Sequence, residues 1–416
     1  MTLHVHLQQN GDVAPRQVRT VAVIGAGTMG TGIAICGLDA ELEVTLLEQD
    51  AAALQRGATR IREHYARRVA AGKVSADTAA ECEARVHATT DWNALAQTDL
   101  VIEAVFEDMA VKREVFARLD KIAKPGAILA TNTSYLDVDA IAAATSRPGD
   151  VVGLHFFSPA NVMRLVEVVR GAATAPEVLV TALEVAKRLG KLPVVTGNAF
   201  GFVGNRIFSA YRRQCEFMLE EGAMPEQVDA ALEAFGFAMG PFAVADLSGL
   251  DIAWRMRQSQ AATRDTKARY VRIPDLLCEA GRLGRKTGAG YYLYEEGAGK
   301  ARGQVDPLVR ELITSASADK GIVRRTLDTE EIQRRALLAM VNEAALVLAE
   351  GVAQRASDVD VVLLNGYGFP RGQGGPVTWA RGRGAQALEA DLSWLAQVSS
   401  PGFVQGDPRY VLEEAA

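Results

Sequence analysis

Apolar runs and helical stretches alternate over the first half of the chain. Continuous apolar runs predict strands at residues 21–24, 43–48, 98–105, 127–132, 151–155 and 165–169, and helical stretches are predicted at residues 51–71, 112–123 and 138–144. Strands that read as apolar throughout, alternating with helices, are typical of a mainly parallel sheet covered on both faces. The pattern therefore predicts a doubly wound α/β domain.

The second half is mainly helical and carries a weak internal repeat. Helical periodicity is found at residues 205–221, 225–235, 244–256 and 330–350, and a small-residue tract at 297–303 is typical of a linker. Short motifs recur in the same order: Glu221-Gly222, Asp229 and Gly240-Pro241 have counterparts in Glu350-Gly351, Asp358 and Gly375-Pro376. We interpret them as a duplicated helical domain whose copies pack face to face. Chance similarity of glycine-rich turns is the alternative.

A glycine-rich turn follows the first predicted strand and opens a helix. Gly25 permits the tight turn, Gly27 lets backbone N–H groups approach a pyrophosphate, and Gly30 lets the helix pack on its strand. Glu48 ends the next strand 23 residues after Gly25, close to the interval expected for an acid that binds the adenosine ribose. A carboxylate there repels a 2′-phosphate, so the pattern predicts NAD rather than NADP. A solvated strand-end charge is the alternative for Glu48.

These features predict an α/β fold with an N-terminal Rossmann-type doubly wound sheet, followed by a duplicated all-α C-terminal domain. The polar residues 1–18 lack the apolar core of a signal peptide and are expected to form a flexible arm. We expect the NAD-binding domain at residues 19–197, the helical copies at 198–297 and 328–416, and a linker at 298–327.

Composition and charge narrow the class of partner. Of the 416 residues, 49% are hydrophobic and 23% charged, as in a globular protein with an ample core. A net charge of −6 argues against nucleic acid or an anionic membrane as the main partner. The four cysteines lie far apart, the five histidines lack metal-ligand spacing, and no apolar run is long enough to span a membrane. We expect a reduced, cytoplasmic protein without a metal, and the C-terminal Glu-Glu-Ala-Ala is not a peroxisomal address.

A histidine and a glutamate are candidates for catalysis. His155 ends a predicted strand, at the edge where open α/β sheets bind their ligands, and imidazole suits proton removal from an alcohol near neutral pH. Glu167 follows twelve residues later among apolar neighbours, where a carboxylate either faces solvent or needs a buried partner. A turn at Ser158-Pro159 would fold this strand back beside His155. A purely structural histidine is the alternative.

Two further polar residues are candidates for contact with a substrate. Ser134 follows a strand at the same edge, and Asn205 opens the first long helix of the second half. Either residue could instead satisfy backbone N–H groups at the start of a helix. The tract at 284–290, which contains Arg285 and Lys286, offers cations to a phosphate-bearing ligand but lacks P-loop spacing.

Several of these motifs together resemble the L-3-hydroxyacyl-CoA dehydrogenase family. The shared motifs are GAGTMG at 25–30, NTS at 132–134, LHFFSP at 154–159, LVEVV at 165–169 and GFVGNR at 201–206. Later blocks at 236–241, 284–292 and 366–370 resemble the dehydrogenase part of the multifunctional β-oxidation enzymes. No segment resembles the enoyl-CoA hydratase domain that precedes this part in those enzymes.

The resemblance implies NAD-dependent oxidation of L-3-hydroxyacyl-CoA to 3-oxoacyl-CoA, in fatty-acid β-oxidation or related acyl-CoA catabolism. It implies that His155 is the general base, that Glu167 orients and supports it, and that Ser134 and Asn205 position the substrate oxygen and the dyad. Expected NAD positions are Gly25, Gly27, Met29, Gly30, Glu48, Val105, Phe106, Glu107, Lys112, Ser134 and Ser158. Ser158 stands where many members have Asn, and Tyr135 replaces a common second Ser.

The resemblance also bears on assembly. In simpler family members, two copies of the C-terminal domain pair between subunits, and the duplicated half here would supply that partner within one chain. Arg334 occupies the place in the second copy equivalent to Asn205. We therefore expect one active site per chain and no obligatory dimer.

Two other functions remain open at this point. A β-hydroxyacid dehydrogenase acting on a free acid would typically use a catalytic lysine rather than a His/Glu pair. A non-enzymatic relative could have kept affinity for NAD, although the set of His155, Glu167, Ser134 and Asn205 argues against it.

Overall fold

The computed structural model describes residues 13–295, 303–399 and 401–413, and these divide into two units. The first unit holds the described residues up to Asn205 together with residues 351–354. The second unit holds residues 206–350 and the described residues from Arg355 onward. The first is built on a sheet and the second is mainly helical.

Eight strands form one sheet in the first unit, in the order β3-β2-β1-β4-β5-β6-β7-β8. The strands are β1 (Thr20–Ile24), β2 (Glu43–Leu47), β3 (Val86–Thr89), β4 (Leu100–Glu103), β5 (Ile128–Thr131), β6 (Val151–Phe156), β7 (Leu165–Arg170) and β8 (Leu192–Gly197). Neighbours pair in parallel except β6 and β7, which are antiparallel. This is the predicted Rossmann-type sheet, and the one antiparallel pair comes from the turn predicted between His155 and Glu167.

Helices cover both faces of the sheet, and the sheet lies between two apolar clusters of the core. The helices of this unit are α1 (Thr28–Asp39), α2 (Ala51–Ala70), α3 (Ala76–Ala84), α4 (Met109–Ile122), α5 (Val138–Ala142) and α6 (Pro176–Arg188). Successive residues of β1 alternate between the clusters: Val21 and Val23 belong to one, Ala22 and Ile24 to the other. Because side chains alternate across a strand, the two clusters lie on opposite faces of the sheet. Burial on both faces explains why the strands read as continuous apolar runs.

The last residues of the predicted N-terminal arm make specific contacts. Residues 1–12 lie outside the described residues, but the guanidinium of Arg16 pairs with Asp150 at 2.6 Å and Glu177 at 2.7 Å, and its backbone N–H donates to Thr181. Val18 is also buried. The expectation of a flexible arm through residue 18 is therefore wrong for residues 16–18, because the low hydrophobicity of this stretch concealed specific polar contacts.

The second unit contains two series of helices. They are α7 (Gly204–Glu221, which begins in the first unit), α8 (Pro225–Phe235), α9 (Pro241–Ser248), α10 (Leu250–Ser259), α11 (Ile273–Glu279), α12 (Pro307–Asp319), α13 (Thr329–Ala349), α14 (Ala356–Gly366), α15 (Pro376–Arg383), α16 (Ala385–Ser399) and α17 (Arg409–Leu412). Short strands β9 (Tyr292–Leu293) and β10 (Gln304–Val305) pair with each other. Part of the expected linker at 298–327 is thus the helix α12. Asp306 marks the start of this helix, and its side chain accepts from the N–H of Leu308. An Asp-Pro start signal outweighs the small residues before it.

The same buried contact occurs in both series. Asp229 on α8 accepts hydrogen bonds from the N–H groups of Phe242 and Ala243 at the start of α9, at 3.0 and 2.9 Å. Asp360 on α14 accepts from Val377 and Thr378 at the start of α15, at 2.7 and 3.0 Å. Burial raises the pKa of both carboxyls, that of Asp229 to about 6.

This contact corrects the alignment of the repeat. The sequence match paired Asp229 with Asp358, but Asp358 forms an ion pair with Arg355, three residues earlier on the chain. The spacing between the glycine-rich motifs is longer in the second copy, so a fixed offset misses Asp360. The structural equivalent of Asp229 is therefore Asp360.

Reciprocal ion pairs join the first long helices of the two copies. Arg206 on α7 pairs with Glu343 on α13 and with Glu350, which directly follows α13. Arg335 on α13, which is fully buried, bonds in return to Gln214 and Glu221 on α7. Each residue of α7 has its own counterpart 129 positions later, so that 206 corresponds to 335, 214 to 343 and 221 to 350, and the contact is the same in both directions. An internal two-fold relation of this kind supports a duplication.

The corrected alignment predicts unequal effects of two neighbouring substitutions. We expect Asp360→Ala to lower stability by about 2–4 kcal/mol, because it leaves two buried N–H groups and the hydroxyl of Thr378 without an acceptor. Asp358→Ala loses one ion pair with a partly exposed arginine and should cost about 1 kcal/mol. Urea unfolding followed by circular dichroism measures both. A larger loss for Asp358→Ala would contradict the alignment.

Candidate active site

The glycine-rich turn after β1 has the shape that a dinucleotide requires. Gly25 has φ of +103°, and a Cβ there would lie 2.7 Å from the carbonyl oxygen of Ala104. A Cβ at Gly30 would lie 1.8 Å from the carbonyl oxygen of Gly25. At Gly27, the N-cap of α1, a Cβ would meet nothing within 4 Å. The turn is therefore closed where it touches protein and open at Gly27, where a pyrophosphate would approach the helix N-terminus.

Glu48 lies beside this turn at the end of β2. Its Oε2 accepts from the N–H of Ala26 at 3.0 Å, and its Oε1 accepts from the N–H of Gln49 at 2.8 Å. The residue is half-buried, so the carboxylate is fixed against the turn and still reachable by a ligand. This position fits an acid that accepts from ribose hydroxyls.

A buried ion pair lies beneath the end of β4. The carboxylate of Glu103 accepts from the ammonium of Lys112 at 2.7 and 3.0 Å and from the hydroxyl of Thr131 at 2.7 Å. Glu103 and Lys112 are both fully buried, and Lys112 also lies 3.3 Å from Glu107. Lys112 stays a predicted NAD position, and in this structure its buried ammonium holds the two carboxylates. Glu103 was missed, although an acid that ends a buried apolar strand was a signal for a paired charge.

Glu107 organises the loop that carries Ser134. Its Oε1 accepts from the hydroxyl of Thr133 at 2.5 Å and from the N–H groups of Ser134 and Tyr135 at 2.8 and 3.2 Å. The side-chain amide of Asn205 donates to the carbonyl oxygen of Ser134 at 3.2 Å. The structure therefore brings together three residues that were predicted separately: Glu107, Ser134 and Asn205. Thr133 was not foreseen.

His155 and Glu167 face each other across the antiparallel strands β6 and β7. The two residues are register partners, and Nδ1 of His155 lies 2.7 Å from Oε2 of Glu167. The glutamate side chain is fully buried and that of the histidine is 5% exposed. Because Nδ1 is occupied by the carboxylate, the imidazole is held in one orientation, with Nε2 as its other nitrogen.

The second oxygen of Glu167 is bound by backbone. Its Oε1 accepts from the N–H groups of Val203 at 3.2 Å and Gly204 at 3.0 Å, where α7 begins. The ring of Phe157 lies 4.6 Å from that of His155, and the ring of Phe202 lies 5.7 Å from it. The dyad is thus enclosed by aromatic rings and has both carboxylate oxygens satisfied, as a buried charge requires. These two backbone donors could not be predicted from the sequence, because every residue except proline carries an N–H group.

The other predicted cofactor residues lie near the same edge of the sheet. Val105 and Phe106 follow β4, Ser158 follows β6, and Met29 lies in the first turn of α1. Phe106 and Ser158 are exposed, while Met29 and Val105 are half-buried. The carboxyl ends of parallel strands are where such sheets bind their ligands.

The cationic tract at 284–290 has partners of its own. It belongs to the second unit, where Lys286 pairs with Asp251 at 2.5 Å. A Cβ at Gly284 or Gly290 would collide with Asp246. Close packing explains these glycines, so a phosphate-binding role is not needed for them.

No group of three or more His, Cys, Asp or Glu side chains in the described part could hold a metal ion. Among the described helices, none has the length and apolar character needed to cross a membrane.

A Rossmann-type sheet with an open glycine turn, an acid at the end of β2 and a buried His/Glu pair defines the class as an NAD-dependent dehydrogenase. Family models narrow this class. Residues 20–199 match the NAD-binding domain of 3-hydroxyacyl-CoA dehydrogenase, and residues 201–294 match its C-terminal domain. The chain belongs to the 3-hydroxyacyl-CoA dehydrogenase family, and its cofactor is NAD.

Relatives with names and structures agree with this assignment. The peroxisomal bifunctional enzyme of Pongo abelii is 43% identical over 412 residues, which cover 96% of this chain and 56% of that protein. A 3-hydroxybutyryl-CoA dehydrogenase from Escherichia coli K12 aligns with a TM-score of 0.77 at 31% identity, covering 92% of this chain and 95% of that one. The dehydrogenase part of multifunctional enzyme 1 from C. elegans aligns with a TM-score of 0.61 at 30% identity, covering 91% of each chain. The chain spans about half the length of the curated relatives it matches.

The position of Glu48 predicts a change in cofactor affinity. We expect Glu48→Gln to raise the Kd for NAD roughly 10- to 100-fold and to narrow the preference for NAD over NADP, since charged acceptors for the ribose hydroxyls are lost. Isothermal titration calorimetry with both cofactors measures this. Asp50→Asn is the control, because Asp50 caps α2, its ion pair with Arg56 at 3.9 Å is exposed, and Asn also caps helices well. An unchanged Kd for Glu48→Gln would place the ribose elsewhere.

Proposed function

We propose that the protein oxidises L-3-hydroxyacyl-CoA to 3-oxoacyl-CoA, with His155 as the general base. The observation that carries the proposal is the buried pair of His155 and Glu167, 2.7 Å apart at the ligand-binding edge of an NAD-binding sheet. Oxidation of a secondary alcohol requires loss of its hydroxyl proton together with a hydride. Imidazole is the side chain suited to take that proton at neutral pH.

NAD supplies the hydride acceptor when it is bound. Gly25, Gly27 and Gly30 fit its pyrophosphate, because the turn is open only where the cofactor would approach, and Glu48 fits its ribose. Met29, Val105, Phe106, Glu107 and Ser158 are the further proposed contacts. Lys112 contributes through Glu107, which it holds in place.

His155 would accept the hydroxyl proton at Nε2, because Glu167 engages its Nδ1. As the proton arrives, the imidazole becomes positively charged, and the buried carboxylate stabilises that charge without moving. Glu167 therefore orients the ring before the reaction and supports its charge during it. The proton and the hydride leave the same carbinol group, which becomes the 3-oxo group.

Ser134 and Asn205 would position the reacting oxygen. Glu107 binds the N–H of Ser134 and Asn205 binds its carbonyl oxygen, so the backbone of this residue is held from both sides. Within the described part of the chain, the hydroxyl of Ser134 has no hydrogen-bond partner, which leaves it for the substrate. Tyr135, in the place of a common serine, lies 5.3 Å ring to ring from Phe200 and would contribute to the acyl pocket.

Removal of the proposed base should affect turnover and leave cofactor binding unchanged. We expect His155→Gln to lower kcat roughly 10²- to 10⁴-fold, the contribution typical of a positioned base, with an unchanged Kd for NAD. Steady-state kinetics and calorimetry measure the two quantities. His87→Gln is the matched control, because His87 is an exposed residue of β3. Full activity of His155→Gln would remove this residue from the mechanism.

The substrate class is tested by oxidation of NADH with acetoacetyl-CoA, with longer 3-oxoacyl-CoA thioesters and with free acetoacetate. We expect turnover with thioesters and little with the free acid. The chain-length series reports the depth of the acyl pocket. Turnover of the free acid alone would instead favour a β-hydroxyacid dehydrogenase.

We also infer one active site per chain and no obligatory dimer. The support is the reciprocal contact of Arg206 and Arg335, by which one chain supplies both halves of a two-fold pair, and the presence of Arg334 where the first copy has Asn205. Light scattering during gel filtration should give a mass near that of one chain, 44.5 kDa. Only dimers, with the second copy exchanged between chains, would contradict this.

The cellular setting is a proposal as well. The curated relatives include a peroxisomal bifunctional enzyme of Pongo abelii and a peroxisomal fatty acid beta-oxidation multifunctional protein of Oryza sativa subsp. japonica. We propose a place in β-oxidation or related acyl-CoA catabolism for this chain, and its cytoplasmic location stays a prediction from the sequence.

A further inference from the structure

The segment between β8 and α7 has an unusual backbone. Gly201 has φ of +74°, and Phe202 follows with φ of +50°. Left-handed backbone is easy for glycine and unfavourable for a residue with a bulky side chain. Phe202 is fully buried, so its surroundings hold it in this conformation. Strain of this kind persists where the local structure requires it, often at functional sites.

The turn directs two consecutive N–H groups to one atom. Val203 and Gly204, directly after the left-handed pair, donate to Oε1 of Glu167 at 3.2 and 3.0 Å. The other oxygen, Oε2, is thereby left for His155. In the described part of the chain, the hydrogen bonds and ion pairs of the dyad involve only its own two side chains and these two N–H groups. The donors at the helix start are therefore the positive counterpart of the carboxylate.

The segment is held at its first residues. The N–H of Gly197 donates to the carbonyl oxygen of Val352 at 2.8 Å, and Thr196 forms an antiparallel bridge with Ala353. A Cβ at Gly197 would lie 3.2 Å from the Cα of Val352, so the two backbones are in close contact.

Asn198 fastens the segment to α5. Its side-chain amide donates to Asp137 at 2.6 Å and Asp139 at 2.8 Å, and its oxygen accepts from the N–H of Val138 at 3.1 Å. Gly201 and Phe202 thus lie between residues 197–198, which are held by these contacts, and the helix α7.

We propose that the Gly201–Phe202 turn is a positioning element that fixes the orientation of the His155–Glu167 dyad. The two N–H groups satisfy Oε1, so Glu167 cannot pivot away from the imidazole. They also draw negative charge away from Oε2, which changes the strength of its hydrogen bond to the imidazole. Without one donor, the carboxylate can rotate and His155 loses its fixed orientation. This inference rests on the proposed role of His155.

A proline at position 204 removes one donor with little change to the helix. Gly204 is the first residue of α7, where proline is well tolerated because its fixed φ suits the helix. Gly204→Ala is the matched control, since it adds a Cβ and keeps the N–H. Labelling with ¹⁵N-histidine gives few signals, because the chain has five histidines. The His155 signal is assigned by its loss in His155→Gln.

We expect Gly204→Pro to shift the ring ¹⁵N signals of His155 in the cofactor-free protein, and Gly204→Ala to keep them at the wild-type position. The kcat of Gly204→Pro should fall roughly 10-fold relative to Gly204→Ala, as expected when a charge-assisted hydrogen bond that holds the dyad is lost. The Kd for NAD should not change. Wild-type His155 signals and a wild-type kcat in folded Gly204→Pro would overturn the proposal.

A second variant tests the proposal if Gly204→Pro does not fold. Replacing Val203 by its α-hydroxy analogue through nonsense suppression converts the N–H to an ester oxygen and keeps every side chain. The same shift of the His155 signals supports the proposal, and wild-type signals overturn it. The NMR readout is independent of turnover. An active His155→Gln would therefore refute the proposed function and leave the result on the turn intact.

Discussion

A carboxylate buried completely inside a protein needs a partner for each oxygen, and in this chain that requirement fixes the site. Glu167 lies in the interior of β7, among valines, where an unpaired charge would be costly. The register of β6 and β7 supplies His155 to one oxygen, and the start of α7 supplies two N–H groups to the other. The sheet, the reversal after β6 and the first helix of the next series therefore have to be in place together before the dyad exists.

The parts of the fold that follow from periodicity could be predicted, and so could residue pairs that a short turn brings together. The apolar runs gave the sheet, because strands covered on both faces contain few polar residues. The pairing of His155 with Glu167 could be proposed from the sequence, since a turn between two adjacent strands leaves few ways to align their residues. The family was evident from ordered motifs. Arg16 and α12 were misplaced, because polar contacts over a long sequence separation and a helix start after a small-residue tract give weak local signals.

The site was predicted less completely than the fold, for a physical reason. Glu103, Thr133 and the N–H groups of Val203 and Gly204 all act on other groups of the protein. Such roles depend on distances in space, which composition and spacing do not record. Lys112 illustrates the same limit. The motif gave its position, but its buried ion pair with Glu103 could not be predicted from the sequence.

The reciprocal arginines have a consequence for how the molecule tolerates a cut. Arg206 and Arg335 bind across the same interface in opposite directions, with Glu350 and Glu221 as their partners. Recognition between the two helical copies thus uses side chains of the two long helices and of Glu350, and none of these side chains lies in the segment that joins the copies. A chain nicked in that segment keeps all of them, so we expect the two pieces to reassemble as a complementing pair.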